Sequence, residues 1–318
     1  MHCTIIYVHI YTGSFEYTHL ELFPNSKSGY NHPLPHIQNT LVSVMGKEKE
    51  MPFAMVATAN IAHLEFVLNM QESIKKFGQN KIGGIVIVCF DEELKAQMEM
   101  RGIPSLRVSD FFNYTFQDQN NLDDNKLKSE HRYGSAAYNR LVNMKIDIAY
   151  IILRYYDIKN LVYTDIDMVF LFPKLYDYFS FFLKERQFDI LFTSSGASSF
   201  YPCTGFYVAK KSNFTIDFLG SIMNSSRKFY EHDQQMALIV YNELPAELKL
   251  KVHVLDPLLF MDGGLTLFAP PFGVKPWLFH ANYVTGKENK KLIMQDNKFW
   301  FLPEEGPGIN KTFILPRK

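Results

Sequence analysis

The chain of 318 residues is 47% hydrophobic and 15% aromatic, which supplies the core of one large α/β domain or two small ones. Its 33 basic and 33 acidic side chains cancel, so it lacks the basic excess with which a general nucleic-acid binder neutralises phosphates. Cys3, Cys89 and Cys203 are far apart and form no C-x-x-C pair, which excludes a disulfide framework and a cysteine zinc site; Cys89 reads as core filling.

Residues 1–50 scatter Pro, Gly, Asn and His without a sustained period. They are read as an irregular arm with one short strand over Thr4–Ile10 and a linker at Met45–Glu50. The start, Met1–His9, is short and has no basic flank, so it does not read as a signal peptide, and no run reaches the ~18–20 apolar residues of a membrane helix. The expected location is the cytoplasm or a membrane surface facing it, or the Golgi lumen if an anchor has been removed. Four N-x-S/T tripeptides, at Asn113, Asn213, Asn224 and Asn310, decide little.

The organised part begins at Pro52. Phe53–Ala59 is an apolar run of strand length, and Ile61–Phe77 carries apolar residues at helical spacing. Ile85–Phe90 reads as a buried strand ending in Asp91, and Glu92–Arg101 as a helix stopped by Gly102. This alternation predicts right-handed crossover units and a mostly parallel sheet covered on both faces, with ligands at the carboxyl ends of the strands. Phe111–Arg132 is polar and loop-like, and Ala136–Tyr156 is an amphipathic helix. The strand Asn160–Thr164 then runs into Asp165-Ile166-Asp167. Further strands are expected at Asp189–Thr193 and Gly205–Val208, and a helix at Tyr230–Asn242. The main domain spans 51–302 and a tail 303–318.

Asp165 and Asp167 at a strand end point to one side, while Ile166 turns into the core. Two converging carboxylates suit Mn²⁺ or Mg²⁺, with positions left for substrate phosphates. Such an ion stabilises a nucleoside diphosphate as leaving group, which is why a sugar transferase uses Asp-x-Asp. The bland alternative is a pair of turn-capping aspartates. Context favours the cation: apolar runs flank the pair, and unneutralised carboxylates at this spacing repel. The pattern also resembles the nucleophile motif of haloacid-dehalogenase-type phosphatases. That family carries its motif on the first strand, with a later Lys and acidic pair. Here the motif follows two βα units, and Asp262-Gly263-Gly264 is a poor substitute for the acidic pair, so this reading ranks second.

From Lys145 through Leu161-Val162-Tyr163-Thr164-Asp165-Ile166-Asp167-Met168-Val169-Phe170-Leu171 to Pro173, the chain resembles the GT-A nucleotide-diphospho-sugar transferases. The resemblance is to those that include plant rhamnogalacturonan xylosyltransferases and arabinosyltransferases, and more distantly the glycogenin type. Asp189-Ile190-Leu191, Thr204-Gly205-Phe206-Tyr207-Val208, Asp233-Gln234 and the segment Phe279–Lys290 resemble that family's later motifs, in its order, over roughly residues 52–300. The resemblance implies a GT-A fold: a Rossmann-like, mostly parallel sheet flanked by helices, with a smaller acceptor-side subdomain. It implies transfer of a sugar (xylose, galactose or arabinose) from a UDP-sugar to a saccharide or glycoprotein hydroxyl, with a retaining outcome. A binding protein of the same fold without catalysis is the remaining alternative.

By the same resemblance His280 is the third metal ligand. Gly286 lets backbone approach the diphosphate, and Lys290 pairs with its charge, with Lys287 as rival. Asp233 and Gln234 lie near sugar and acceptor, or Asp233 is a helix N-cap. Lys145 reaches the phosphates or sits on its helix's polar face. Thr58, Ala59 and Asn60 receive uracil or ribose; Asp91 does likewise or caps the following helix. Cys203 stands where the family commonly has Asn, which puts the donor sugar in doubt, and the small polar linker 194–202 reads as a loop.

Overall fold

A computed structural model of the chain describes residues 33–45, 52–77, 83–112, 128–129, 135–196, 198–229, 231–268 and 275–303. Its first element corrects the reading of 1–50 as irregular. Pro35–Ser43 forms helix α1, with Pro at its start, where a missing N–H leaves no bond unmade. Ile37 and Leu41, one turn apart, are fully buried. Two apolar residues are enough to dock a short helix but too few to show as a period. The strand expected at Thr4–Ile10 and the tail beyond residue 303 lie outside the described residues.

The periodic segments then follow. β1 (Phe53–Ala59), α2 (Leu64–Phe77, entered through a tighter turn at Ile61–His63), β2 (Val86–Cys89), α3 (Glu92–Met100) and β3 (Ser105–Arg107) alternate as crossover units. α4 (Ala136–Tyr155) starts at Ser135, whose hydroxyl accepts from the Tyr138 amide at 3.1 Å, and leads into β4 (Asn160–Thr164). Beyond it come β5 (Met168–Phe170), α5 (Leu175–Lys184), β6 (Ile190–Ser195) and β7 (Ser198–Lys210). After these the chain forms α6 (Asn213–Phe229), α7 (Asp233–Glu243), α8 (Ala246–Lys249) and β8 (Val252–Val254). β9 (Phe260–Asp262), α9 (Gly263–Phe268), β10 (Leu278–His280) and α10 (Lys287–Asp296) complete the described chain. The strand expected at Gly205–Val208 is one part of the longer β7, and the helix expected from Tyr230 begins at Asp233.

The main sheet has the order β3-β2-β1-β4-β7-β6-β8, and β7 is the one strand that runs against its neighbours. Alternate residues of each strand feed two cores, which explains the unbroken apolar runs. Ala54, Val56, Val86, Val88, Leu161 and Tyr163 face α1, α4, α6 and α7. Met55, Ala57, Ile87, Cys89 and Val162 face α2, α3 and α5. Cys89 is accordingly core filling.

A second sheet, ordered β5-β10-β9, was not foreseen. It packs through Val169, Met261, Phe279 and Ala281 on a third core with Ile293 and Met294 of α10. Among the described residues no helix is long and apolar enough to cross a membrane.

Candidate active site

Asp165 and Asp167 occupy the turn that carries the chain from β4 in the large sheet to β5 in the small one. Their convergence thus comes from a crossing between sheets and not from simple strand alternation, though Ile166 between them does pack into the apolar cores. Two registers hold the turn. β7 pairs with β4 so that the Asp165 amide donates to the Gly205 carbonyl at 2.6 Å. β10 pairs with β5 so that His280 lies opposite Met168, and the Ala281 amide donates to the Asp167 carbonyl at 3.0 Å.

These registers bring together residues more than a hundred positions apart. One ligand atom each from Asp165, Asp167 and His280 lies within 4.8 Å of the others. The Nε2 of His280 is 3.3 Å from Asp167 Oδ1 and 3.9 Å from Asp165 Oδ2. Its other nitrogen, Nδ1, faces the buried Cys203 sulfur at 3.9 Å, so Cys203 stands behind the histidine. Gly205 is required here by space. A Cβ at that position would lie 2.5 Å from His280 Cε1 and 2.7 Å from Asp165 Oδ2.

Two lysines enclose the trio. Lys145, projecting from α4, sets its ammonium 3.0 Å from Asp165 Oδ1 and 3.4 Å from Asp233 Oδ2. It therefore bridges the first aspartate to the start of α7, an arrangement that neither sequence alternative described. Lys290, from α10, lies 2.6 Å from Asp167 Oδ2. It, and not Lys287, is the lysine that meets the aspartate pair. Gly286, with φ of 82°, begins α10, and open space lies over its Cα.

Burial raises the Asp165 carboxyl, with Lys145 opposing and Asp167 reinforcing the shift. Burial acts in the same sense on Asp167, but Lys290 and His280 overcome it and hold that carboxyl well below the usual range. For His280, burial disfavours charge, yet Asp167 outweighs it and the imidazole is pushed up to about 10. Burial likewise opposes charge on Lys145, and Asp165 and Asp233 keep it protonated well above the ordinary lysine range.

At the start of α7, His232 and not Asp233 is the cap: its Nδ1 accepts from the Gln235 amide at 3.3 Å. Asp233 is the first helical residue, only 3% exposed and committed to Lys145. Gln234 Nε2 donates to Ser195 Oγ at 2.9 Å, and Ser195 in turn pairs with the Tyr283 hydroxyl. Ser195, expected in the 194–202 loop, ends β6 instead and is buried.

The residues expected around the nucleotide base sit at the ends of β1 and β2, but their polar atoms are engaged locally. The Thr58 hydroxyl pairs with the Tyr163 hydroxyl at 2.8 Å, and Ala59 is packed in the core. Asn60 bonds His63 at 2.7 Å and the Ser129 carbonyl at 2.9 Å. Asp91 accepts from the Leu94 amide and the Ile61 amide, both at 2.8 Å. It therefore caps α3 and ties it to the end of β1, the second of the two roles weighed for it. Asp262, also singled out in the sequence, is a structural anchor: it accepts from the Gly196 and Leu265 amides, both at 2.7 Å.

The model of the nucleotide-diphospho-sugar transferase family matches residues 80–294. The chain belongs to this family. Its own fold is α/β with a mostly parallel main sheet, and membership of this family displaces the phosphatase alternative. No curated protein matches the transferase in sequence. Among solved structures it is similar to the glycosyltransferase GlyE of Streptococcus pneumoniae TIGR4, at 11% identity and TM-score 0.47, over 79% of this chain and 65% of that one. The transferase thus spans less than two thirds of GlyE. Mouse xyloside xylosyltransferase 1 in its apo form shows 13% identity and TM-score 0.47, over 73% of this chain and 98% of that one. The galactosyltransferase LgtC, in complex with donor and acceptor sugar analogues, shows 10% and 0.47, over 79% and 97%.

Proposed function

We propose that the transferase moves a sugar from a UDP-linked donor to a saccharide or glycoconjugate hydroxyl, with Mn²⁺ or Mg²⁺ held by Asp165, Asp167 and His280. The observation that carries this reading is the convergence of those three side chains from two sheets, with Lys145 and Lys290 beside them. Two carboxylates and one imidazole suit Mn²⁺, and the two carboxylates alone suit Mg²⁺. When bound, the ion supplies Lewis-acid neutralisation of the charge that develops on the departing diphosphate.

The chain's own groups divide the remaining work. Lys290 lies within reach of Asp167, so it is available to exchange that carboxylate for a phosphate oxygen as a point cation. Gly286 leaves room for the diphosphate to approach the start of α10, where backbone amides favour anions. Lys145 holds Asp165 and Asp233 at a fixed separation. Asp233, buried against Lys145, is not open to an acceptor hydroxyl, and Gln234 is an amide. Neither offers the open carboxylate that an inverting reaction uses as general base, and this favours the retaining reading. In this reading Gln234 is the residue that stabilises the sugar centre by its dipole.

A donor screen tests the reading: purified protein, a panel of nucleotide sugars, Mn²⁺ or EDTA, and nucleoside diphosphate as readout. Release from one donor, lost with EDTA and in Asp167→Ala, is the expected result. Silence across all donors, together with no metal-dependent UDP binding by calorimetry, would remove the proposal.

A further inference from the structure

Tyr283 has an unusual environment. Of the described non-glycine residues, only Gln187, Tyr283 and Lys298 have positive φ, and Tyr283, at 59°, is the one aromatic. A bulky residue in the left-handed region is an outlier held there by its surroundings, and such outliers concentrate at functional sites. The surroundings are visible. Gly263 and Gly264 let the loop 281–283 press close: a Cβ on Gly263 would meet the Asn282 carbonyl at 2.4 Å, and one on Gly264 would meet Tyr283 Cδ2 at 3.3 Å. The Asn282 side-chain carbonyl accepts from the Gly263 amide at 3.3 Å. At its far end the tyrosine hydroxyl is tied to Ser195.

The residue is thus fixed at both ends, yet 57% of its surface is exposed. An ordinary surface tyrosine has no need of either restraint. It lies three residues beyond His280, and its hydroxyl reaches Gln234 through one serine oxygen. A rigid, water-facing aromatic ring with an anchored hydroxyl suits the apolar C–H face of a pyranose, because it offers contact area at little entropic loss. The acceptor must arrive from solvent and settle next to the donor sugar, which the metal side confines. We propose that Tyr283 is the platform on which the acceptor saccharide lies, and that its hydroxyl, through Ser195, orients the Gln234 amide. The proposal rests on the transferase reading above.

Saturation-transfer NMR with methyl β-galactoside, methyl β-glucoside and methyl β-xyloside reads the platform without turnover. Calorimetry with UDP and Mn²⁺ on the same samples reads the nucleotide side. Wild-type protein is expected to bind at least one glycoside. Tyr283→Ala is expected to weaken that binding about tenfold, the upper end of what one aromatic contact contributes, while UDP affinity holds. Tyr283→Phe is expected to keep glycoside binding and acceptor KM and to lower kcat, because the ring remains and the Ser195 link is lost. Glycoside binding unchanged in Tyr283→Ala overturns the platform, and Tyr283→Phe with wild-type kcat overturns the link to Gln234. Glycoside binding that depends on Tyr283 in a protein inert to every nucleotide sugar would sustain the platform and sink the transferase reading.

Discussion

At the scale of single residues the site is built as much by what is absent as by what is present. Gly205 has no Cβ because His280 and Asp165 fill that space, and the added methyl of Gly205→Ala would lie under 3 Å from both. Their side chains would have to shift by an ångström or so, and misplacement on that scale costs about a hundredfold in rate. Gly205→Ala is therefore expected to lose about that much nucleotide release in the donor assay, with a melting temperature near wild type. Lys145 makes the opposite case. It neutralises the buried Asp233 and the partly exposed Asp165, and removing it strands the buried carboxylate. Lys145→Met should destabilise the metal-free protein by about 3–5 kcal/mol in urea denaturation. A change below the measurement error would mean that water already reaches those carboxylates.

At the scale of elements, α1 is the clearest test of where the domain begins. Leu41 is fully buried among residues of the main sheet's α4 face, so Leu41→Ala should cost about 2–5 kcal/mol by the same denaturation measurement. An unchanged midpoint would return residues 35–43 to the status of a detachable arm. α5 and β8 meet in a cluster in which His253 stacks with both Phe182 and Phe188, at 4.7 and 4.8 Å between ring centres, and the two phenylalanines stack with each other at 6.0 Å. Burial lowers the His253 pKa from its ordinary 6.5. As pH falls below about 6.5 the unfolded chain takes up this proton before the folded one does, so stability is constant above that pH and declines below it. Comparing melting temperatures of wild type and His253→Phe from pH 7.5 downward should show the variant losing less. Parallel curves would assign the acid sensitivity elsewhere.

At the scale of the whole molecule, the two sheets and the segment after α10 are fastened by a few buried polar links. Asn69 on α2 is 1% exposed, donates to the Phe299 carbonyl at 3.1 Å and accepts from the Phe301 amide at 2.6 Å. Asn69→Ala leaves those backbone groups unpaired, at about 1–3 kcal/mol each, and should raise hydrogen exchange at Phe301 before any global unfolding. Exchange unchanged at that amide would show that Asn69 is not what fastens the segment. Asp262 plays the corresponding part between the sheets, joining the end of β9 to the turn after β6.

Much of this architecture is legible in the sequence because its physics is local. A strand buried on both faces is mostly apolar, so β1, β2 and the centre of β4 announce themselves, and the alternation with amphipathic helices favours a mostly parallel sheet with its site at the carboxyl ends. The aspartate pair suggested a cation, and the later motifs, in their order, gave the family resemblance that the family model bears out. What the sequence could not convey is register. Lys290 and Asp167 are 123 positions apart, and whether they meet depends on how β10 pairs with β5. The steric reason for Gly205, the bridge made by Lys145 and the Ser195–Tyr283 link depend likewise on strands from different parts of the chain. Which side chains to expect together was thus readable from the sequence and its family resemblance. Their assembly into a site was decided by tertiary structure, because a one-residue slip in either pairing would turn the ligands away from one another.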